Sequence, residues 1–159
     1  MFREEQNLNE YLDSILSMID IDAIRKAQLK IDIDPLYGVS QISLQTILMT
    51  CRCNVEVIHG AHDTLFGGKM PAPTLHTLTP LAHYVTDQHC SFGIATDGDA
   101  DRVGLVDEQG QYVDANELLS LLYYYLVKYR GWSGPCVRNN STTHLLDRIA
   151  KGLGQTCYE

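Results

Sequence analysis

Hydrophobic positions along this chain change period several times, and each change marks a boundary between elements. "LNEYLDSILSMID" (8–20) sets Leu8, Tyr11, Leu12, Ile15, Leu16 and Ile19 at helical spacing. "DIDAIRKAQ" predicts a second short helix with Asp20 or Asp22 as its cap. "LKIDID" (29–34) is an alternating, β-branched run that stops at "PLYG", a strand followed by a turn. "SQISLQTILMTC" (40–51) returns to the helical period and "NVEVIHG" (54–60) to the strand period.

The stretch "AHDTLFGGKMPAPT" (61–74) has no periodicity and is rich in Gly and Pro, which predicts a long loop. "LHTLTPLAHYVTDQ" (75–88) predicts a helix that tolerates Pro80 only within its first turn. "CSFGIAT" (90–96) predicts a buried strand, "DGDADR" a loop, and "VGLVDEQGQYV" (103–113) a hairpin-like strand turning at "DEQG". Then come a long apolar helix at 115–131 with Gly131 as its stop, a strand entering a polar turn at 134–142, and a helix over "THLLDRIAKGLG". "QTCYE" begins another strand, and the sequence ends within it, as expected of a fragment of something longer. "LKIDIDPLYGVSQISLQTILMTCRCNVEVI" and "PCVRNNSTTHLLDRIAKGLGQTCYE" share the order strand, polar turn, helix, strand. The expected architecture is therefore α/β: a three-layer αβα unit with a mixed sheet over 1–114, then a truncated second unit of the same kind over 115–159.

Composition sets limits on partners. The chain has 159 residues, 45% hydrophobic, enough for a substantial core. A formal charge of −8 argues against a nucleic-acid or anionic-membrane surface. No apolar run approaches the ~20 residues of a membrane helix, and "MFREEQNLNEY" lacks the pattern of a signal peptide. Five cysteines form no CxxC pair, which suggests reduced thiols in a cytoplasmic protein.

The candidate chemistry lies in "GIATDGDADRVGLVD" (93–107). Asp97, Asp99 and Asp101 stand at alternate positions after a strand, with Arg102 directly behind them. In a loop, side chains at i, i+2 and i+4 can converge on one point, and carboxylates so placed suit a hard cation, Mg²⁺ or Ca²⁺. A solvated acidic turn is the bland alternative, and the strict alternation of three acids at a strand end favours the metal. The spacing matches positions one, three and five of an EF-hand, with Glu108 at the twelfth. However, Arg102 occupies the sixth, where that loop needs Gly, and the flanks are strands. A haloacid-dehalogenase-type D-x-D-x-[TV] motif fails at Asp101. A guanidinium beside metal ligands makes sense if a further anion, such as phosphate, sits against both.

"GIATDGDADRVGLVDEQG" resembles the metal-binding loop of the α-D-phosphohexomutases, the phosphoglucomutase/phosphomannomutase family. "DPLYGVS" (34–40) resembles the strand-to-helix turn opening that family's second domain. "LFGGKMPAPT" (65–74) resembles its F-x-G-x-x-P-x-P segment, and "NELLSLLYYYL" its interdomain helix. The resemblance implies that Asp97, Asp99 and Asp101 hold Mg²⁺ and that Arg102 is a catalytic residue facing substrate or phosphate. It implies a parent enzyme interconverting hexose 1- and 6-phosphates through a phosphoserine and a bisphosphorylated sugar. The S-H-N-P phosphoserine motif, the sugar-specificity loop and the fourth-domain phosphate site are absent from these 159 residues, so the chain alone is expected to be inactive. It matches the second domain and the start of the third, with a hexose phosphate as partner, no nucleic acid or membrane, and self-association through apolar surface on the 116–126 helix. The rival expectation is a non-catalytic divalent-cation-binding α/β module.

Other residues invite blander readings. The six histidines form no metal-ligand pair at helical spacing, and Cys51 and Cys53 suit the core at a helix end. Tyr123, Tyr124, Tyr125 and Tyr129 suit a buried helix face with interdomain packing, and Asn139, Asn140 and Ser141 a structural turn.

Overall fold

The computed structural model describes residues 8–159; the leading segment expected to carry no signal peptide lies in part outside them. The chain divides into two compact units, one through Tyr112 and the other Val113–Glu159.

The first unit is built on a five-stranded sheet. Its strands are β1 (Lys30–Asp34), β2 (Asn54–Val57), β3 (Phe92–Thr96), β4 (Val103–Asp107) and β5 (Tyr112–Val113), in the spatial order β2-β1-β3-β4-β5. β1 runs parallel to both β2 and β3, whereas β4 returns antiparallel to β3, with Thr96 opposite Val103. The sheet is therefore mixed, as the sequence predicts, and the carboxyl ends of β1, β2 and β3 share one edge.

Side-chain alternation sorts the two faces. Ile31, Phe92 and Ile94 pack with Cys51, Cys53 and Leu48, and with apolar residues of α1 (Leu8–Met18) and α2 (Ile21–Ala27). Leu48 belongs to α3 (Gln41–Thr50), which bridges β1 and β2. Ala95 and Val106 face the other way, onto Leu78, and onto Leu81 and Val85 of α4 (Thr79–Asp87). Helices thus cover both faces, three layers in all. Cys51 and Cys53 are core residues, and burial pushes both thiols up from their ordinary range.

Two boundaries differ from expectation. α4 begins at Thr79, four residues later than the hydrophobic pattern suggests. Pro80 is the cause: it lacks an N–H and its ring blocks the preceding turn, so it can sit only at a helix start. The preceding residues form a turn in which Thr77 accepts from the Thr74 N–H at 2.8 Å. The long loop also contains a short 3₁₀ turn, Phe66–Gly68. Asp63 shapes it by accepting from the Leu65 and Gly67 N–H groups, each at 2.9 Å.

The second unit holds α5 (Ala115–Lys128), β6 (Cys136–Val137), α6 (Leu145–Gly152) and β7 (Cys157–Tyr158), with β6 and β7 parallel. Asp114 and Glu117 close a capping box at the start of α5, and Gly131 lies just beyond its end at φ 67°. Asn139 accepts from Ser141 N–H and Thr142 hydroxyl, so that segment is a self-satisfied turn. The tyrosine run is split: Tyr123 and Tyr124 are half-buried, while Tyr125 and Tyr129 are exposed and stacked at 6.3 Å. A 3.6-residue period cannot put three consecutive side chains on one face.

One core position is costly. Asp32, on β1 between β2 and β3, is fully buried, and neither carboxylate oxygen has a hydrogen-bond partner among the described residues. Burial first, and then the neighbouring Asp34 charge, push its carboxyl up to about 7. The folded chain therefore holds a proton there that the unfolded chain releases near pH 4, and stability falls as pH rises through 7. Asp32→Asn is expected to flatten this dependence and to stabilise the chain by roughly 2–4 kcal/mol at pH 8, with little gain at pH 4. Urea denaturation of both proteins across that range checks it.

Candidate metal centre

The acidic loop occupies residues 97–102, between the end of β3 and the start of β4. Because these strands pair antiparallel, Asp97 and Arg102 are brought face to face. The Asp97 N–H donates to the Arg102 carbonyl at 3.3 Å. In return the Arg102 N–H donates to Asp97 Oδ1 at 3.0 Å, and its Nε to Oδ2 at 2.6 Å. The Ala100 N–H donates to the Asp97 carbonyl, with Ala100 at φ 64°, and this curls the loop tightly.

The three carboxylates converge as the alternation predicts: each offers an oxygen, and these atoms all lie within 4.8 Å of one another. They are the one such group of His, Cys, Asp or Glu among the described residues. Their environments differ. Asp97 is only 1% exposed, while Asp99 and Asp101 face solvent. Burial opposes ionisation of Asp97, but the Arg102 N–H and guanidinium outweigh it and hold the carboxyl down to about 2. Asp101 is pushed up, first by its hydrogen bond to Asp97 and then by the Asp99 charge. The set thus carries concentrated negative charge that Arg102, with Nε 3.5 Å from Asp101 Oδ1, only partly offsets.

The surroundings come from the ends of the parallel strands, where α/β sheets place their ligands. The turn after β1 approaches the acidic loop, and the Val39 N–H donates to the Gly98 carbonyl at 3.1 Å. Ser40 and Thr96 share a buried hydroxyl contact at 2.7 Å. Beside it lies an open cavity of about 630 Å³, lined by Tyr37, Val39, Ile42, His62, Phe66 and Gly98 among others.

Sequence reasoning missed the support of this turn. Asp34 is fully buried, accepts from the Leu36 N–H at 2.9 Å and contacts His59 Nδ1 at 3.0 Å. The Tyr37 N–H then donates to the His59 carbonyl at 2.9 Å. Burial pushes the Asp34 carboxyl up despite these partners. The remaining five histidines are exposed. The available signal was "DID": two acids alternating with isoleucine in one short strand.

Buried and exposed members of the triad should respond differently to substitution. Asp97→Asn removes charge-assisted bonds from a buried site and is expected to cost the metal-free chain about 1–3 kcal/mol. Asp99→Asn relieves repulsion at an exposed one and should leave stability unchanged or slightly raised. Denaturant midpoints in chelator-treated buffer distinguish the two.

Comparison with known proteins adds independent findings. The profile of the family described as "Phosphoglucomutase/phosphomannomutase, alpha/beta/alpha domain II" matches residues 9–110. A phosphoglucosamine/phosphogalactosamine mutase of Sulfurisphaera tokodaii is 33% identical over 77% of this chain and 27% of its own length. A phosphoglucomutase/phosphomannomutase of Thermococcus kodakarensis is 29% identical over 96% of this chain and 33% of its own. The crystal structure of a Thermus thermophilus protein assigned as a phosphomannomutase superposes with a TM-score of 0.90 at 27% identity. That superposition covers 97% of this chain and 36% of the other. The chain thus spans about a third or less of these relatives.

Proposed function

The chain belongs to the phosphoglucomutase/phosphomannomutase family, and from that premise we propose that it supplies the cation-binding loop of a sugar-phosphate mutase. The observation that carries the proposal is the convergence of Asp97, Asp99 and Asp101 within 4.8 Å, with Arg102 held against them.

The donor set fits Mg²⁺, a hard cation that takes carboxylate oxygens and keeps other positions for water or phosphate. When bound, Mg²⁺ supplies positive charge to a transferring phosphoryl group. Asp97 Oδ2 accepts from Arg102 Nε at 2.6 Å, so the guanidinium is oriented before any anion arrives. The Arg102 side chain is 64% exposed, which leaves it reachable by a phosphate. Asp99 and Asp101, facing solvent, complete the negative set toward the same side.

The substrate class is a phosphorylated hexose or hexosamine, interconverted between its 1- and 6-phosphates in a phosphoserine-dependent parent enzyme of the cytoplasm. In this reading residues 1–114 are its second domain and 115–159 open its third. The names of the two relatives described above cover glucose/mannose and amino-sugar phosphates, which supports that class. No described helix is long and apolar enough to cross a membrane. Self-association of the 159-residue chain is part of the proposal, because Leu119, Leu121 and Leu122 of α5 are exposed. A non-catalytic cation-binding module would share the loop but would impart no mutase activity to any longer protein.

Cation titration and variant kinetics test the reading. Calorimetric titration of the 159-residue chain with Mg²⁺ is expected to give a dissociation constant on the order of millimolar, with no conversion of glucose 1-phosphate by the chain alone. Within the complete parent enzyme, Asp99→Asn should lower kcat by two orders of magnitude or more, about 3 kcal/mol of transition-state stabilisation. Arg102→Ala should lower kcat/KM there while the Tm stays within a few degrees. Normal turnover of the Asp99 variant with Mg²⁺ as sole cation would remove the assignment.

A further inference from the structure

The backbone of the acidic loop is approached closely by two residues that contribute no ligand. The first is Gly38, in the turn after β1. A Cβ built on Gly38 would lie 2.5 Å from the Gly98 carbonyl oxygen, 2.7 Å from Gly98 Cα and 2.9 Å from the Asp97 carbonyl oxygen. All three atoms are backbone, so no side-chain rotation can relieve the contact. The second is Phe66, whose ring lies 3.1 Å from where a Gly98 Cβ would sit, with Pro71 Cγ at 3.5 Å. Gly38 and Phe66 therefore both pack close against the Asp97–Gly98 backbone.

Both residues are fixed. The Gly38 N–H donates to the Pro35 carbonyl at 2.8 Å, and the Val39 N–H ties the turn to the Gly98 carbonyl at 3.1 Å. Behind the turn, Asp34 and His59 anchor Leu36 and Tyr37, which stand at φ 48° and 63°. Backbone held in that region persists only where surrounding contacts impose it. Phe66, at φ 51°, is set by the 3₁₀ turn that Asp63 caps through the Leu65 and Gly67 N–H groups. By contrast, Gly98 is half-buried and the loop beyond it is exposed. If a side chain were added at position 38, the loop would yield before the turn.

We infer that Gly38 and Phe66 are positioning residues that clamp the Asp97–Gly98 peptide and thereby set the cation affinity of Asp97, Asp99 and Asp101. The inference rests on the acidic loop being the cation site. Its chemistry is steric. A small cation needs its oxygens placed within a few tenths of an ångström, and mutually repelling carboxylates do not hold such a placement unaided.

Binding of Mn²⁺, a hard divalent probe, to the 159-residue chain is followed by electron paramagnetic resonance, with circular dichroism as the check on folding. Gly38→Ala is expected to raise the dissociation constant at least tenfold, since the loop is compressed against Phe66. Phe66→Ala, which removes that contact, should raise it at least threefold. The double variant decides between a clamp and general damage: with the ring gone, the loop can shift as a body, and affinity should recover to the level of Phe66→Ala alone. Should Gly38→Ala fail to fold, the double variant is expected to fold and bind as Phe66→Ala does. Affinity of a folded Gly38→Ala within twofold of the parent, an unchanged Phe66→Ala, or a double variant that adds both losses or does not fold would each overturn the clamp. Absence of Mn²⁺ binding by the unsubstituted chain would instead overturn the acidic loop as a cation site, and the clamp with it.

Discussion

Asp97 is buried and yet ionised, and the site is organised around keeping it so. A carboxylate out of water needs donors aimed at it, and here both come from one residue, the main-chain N–H and the Nε of Arg102. That residue can reach only because β4 turns back antiparallel, returning the chain to the end of β3. The antiparallel pairing thus stabilises the charge. The charge in turn fixes the direction of the arginine, and the tight curl brings Asp99 and Asp101 alongside. Changing the register of β4 by one residue would undo all three at once.

The elements were largely legible in the sequence because their burial patterns were strong. Ile31 and Ile33 flank acids in a short β-branched run, and Phe92 to Thr96 form an apolar one; both predict strands that lie buried, on and beside the central strand. The convergence of Asp97, Asp99 and Asp101 was legible for a different reason: alternation in a short loop is a local property. What was not legible depended on contacts between segments far apart in sequence. Gly38 gives no local sign that it faces Gly98, and His59 reads as the tail of a strand until Asp34 is seen beneath it. The late start of α4 was signalled by Pro80, whose constraint overrides the apolar spacing of Leu75 and Leu78.

The two units share one construction. In each, a strand leads through a polar turn into a helix and on to a parallel strand: β1, α3 and β2 in the first, β6, α6 and β7 in the second. They differ in how the turn is satisfied. In the first it is braced by Asp34 and His59 from neighbouring strand ends, whereas in the second Asn139 closes it locally on Ser141 and Thr142. The first turn reaches the acidic loop and the second satisfies itself, although the order of elements is the same.

The reversal of direction after β3 also has an electrostatic consequence. At the carboxyl edge of a parallel sheet, the chain ordinarily enters a helix, whose first turn presents unpaired N–H groups and about half a positive charge. Such an edge attracts anions. Strand β3 enters no helix; its loop leads directly into β4. Strand β3 therefore places no helix start of its own behind the carboxylates; the start that lies beside them is that of α3, whose preceding Val39 N–H donates to the Gly98 carbonyl. A cluster of three carboxylates that concentrates negative charge at this edge is what this single departure from parallel topology makes available.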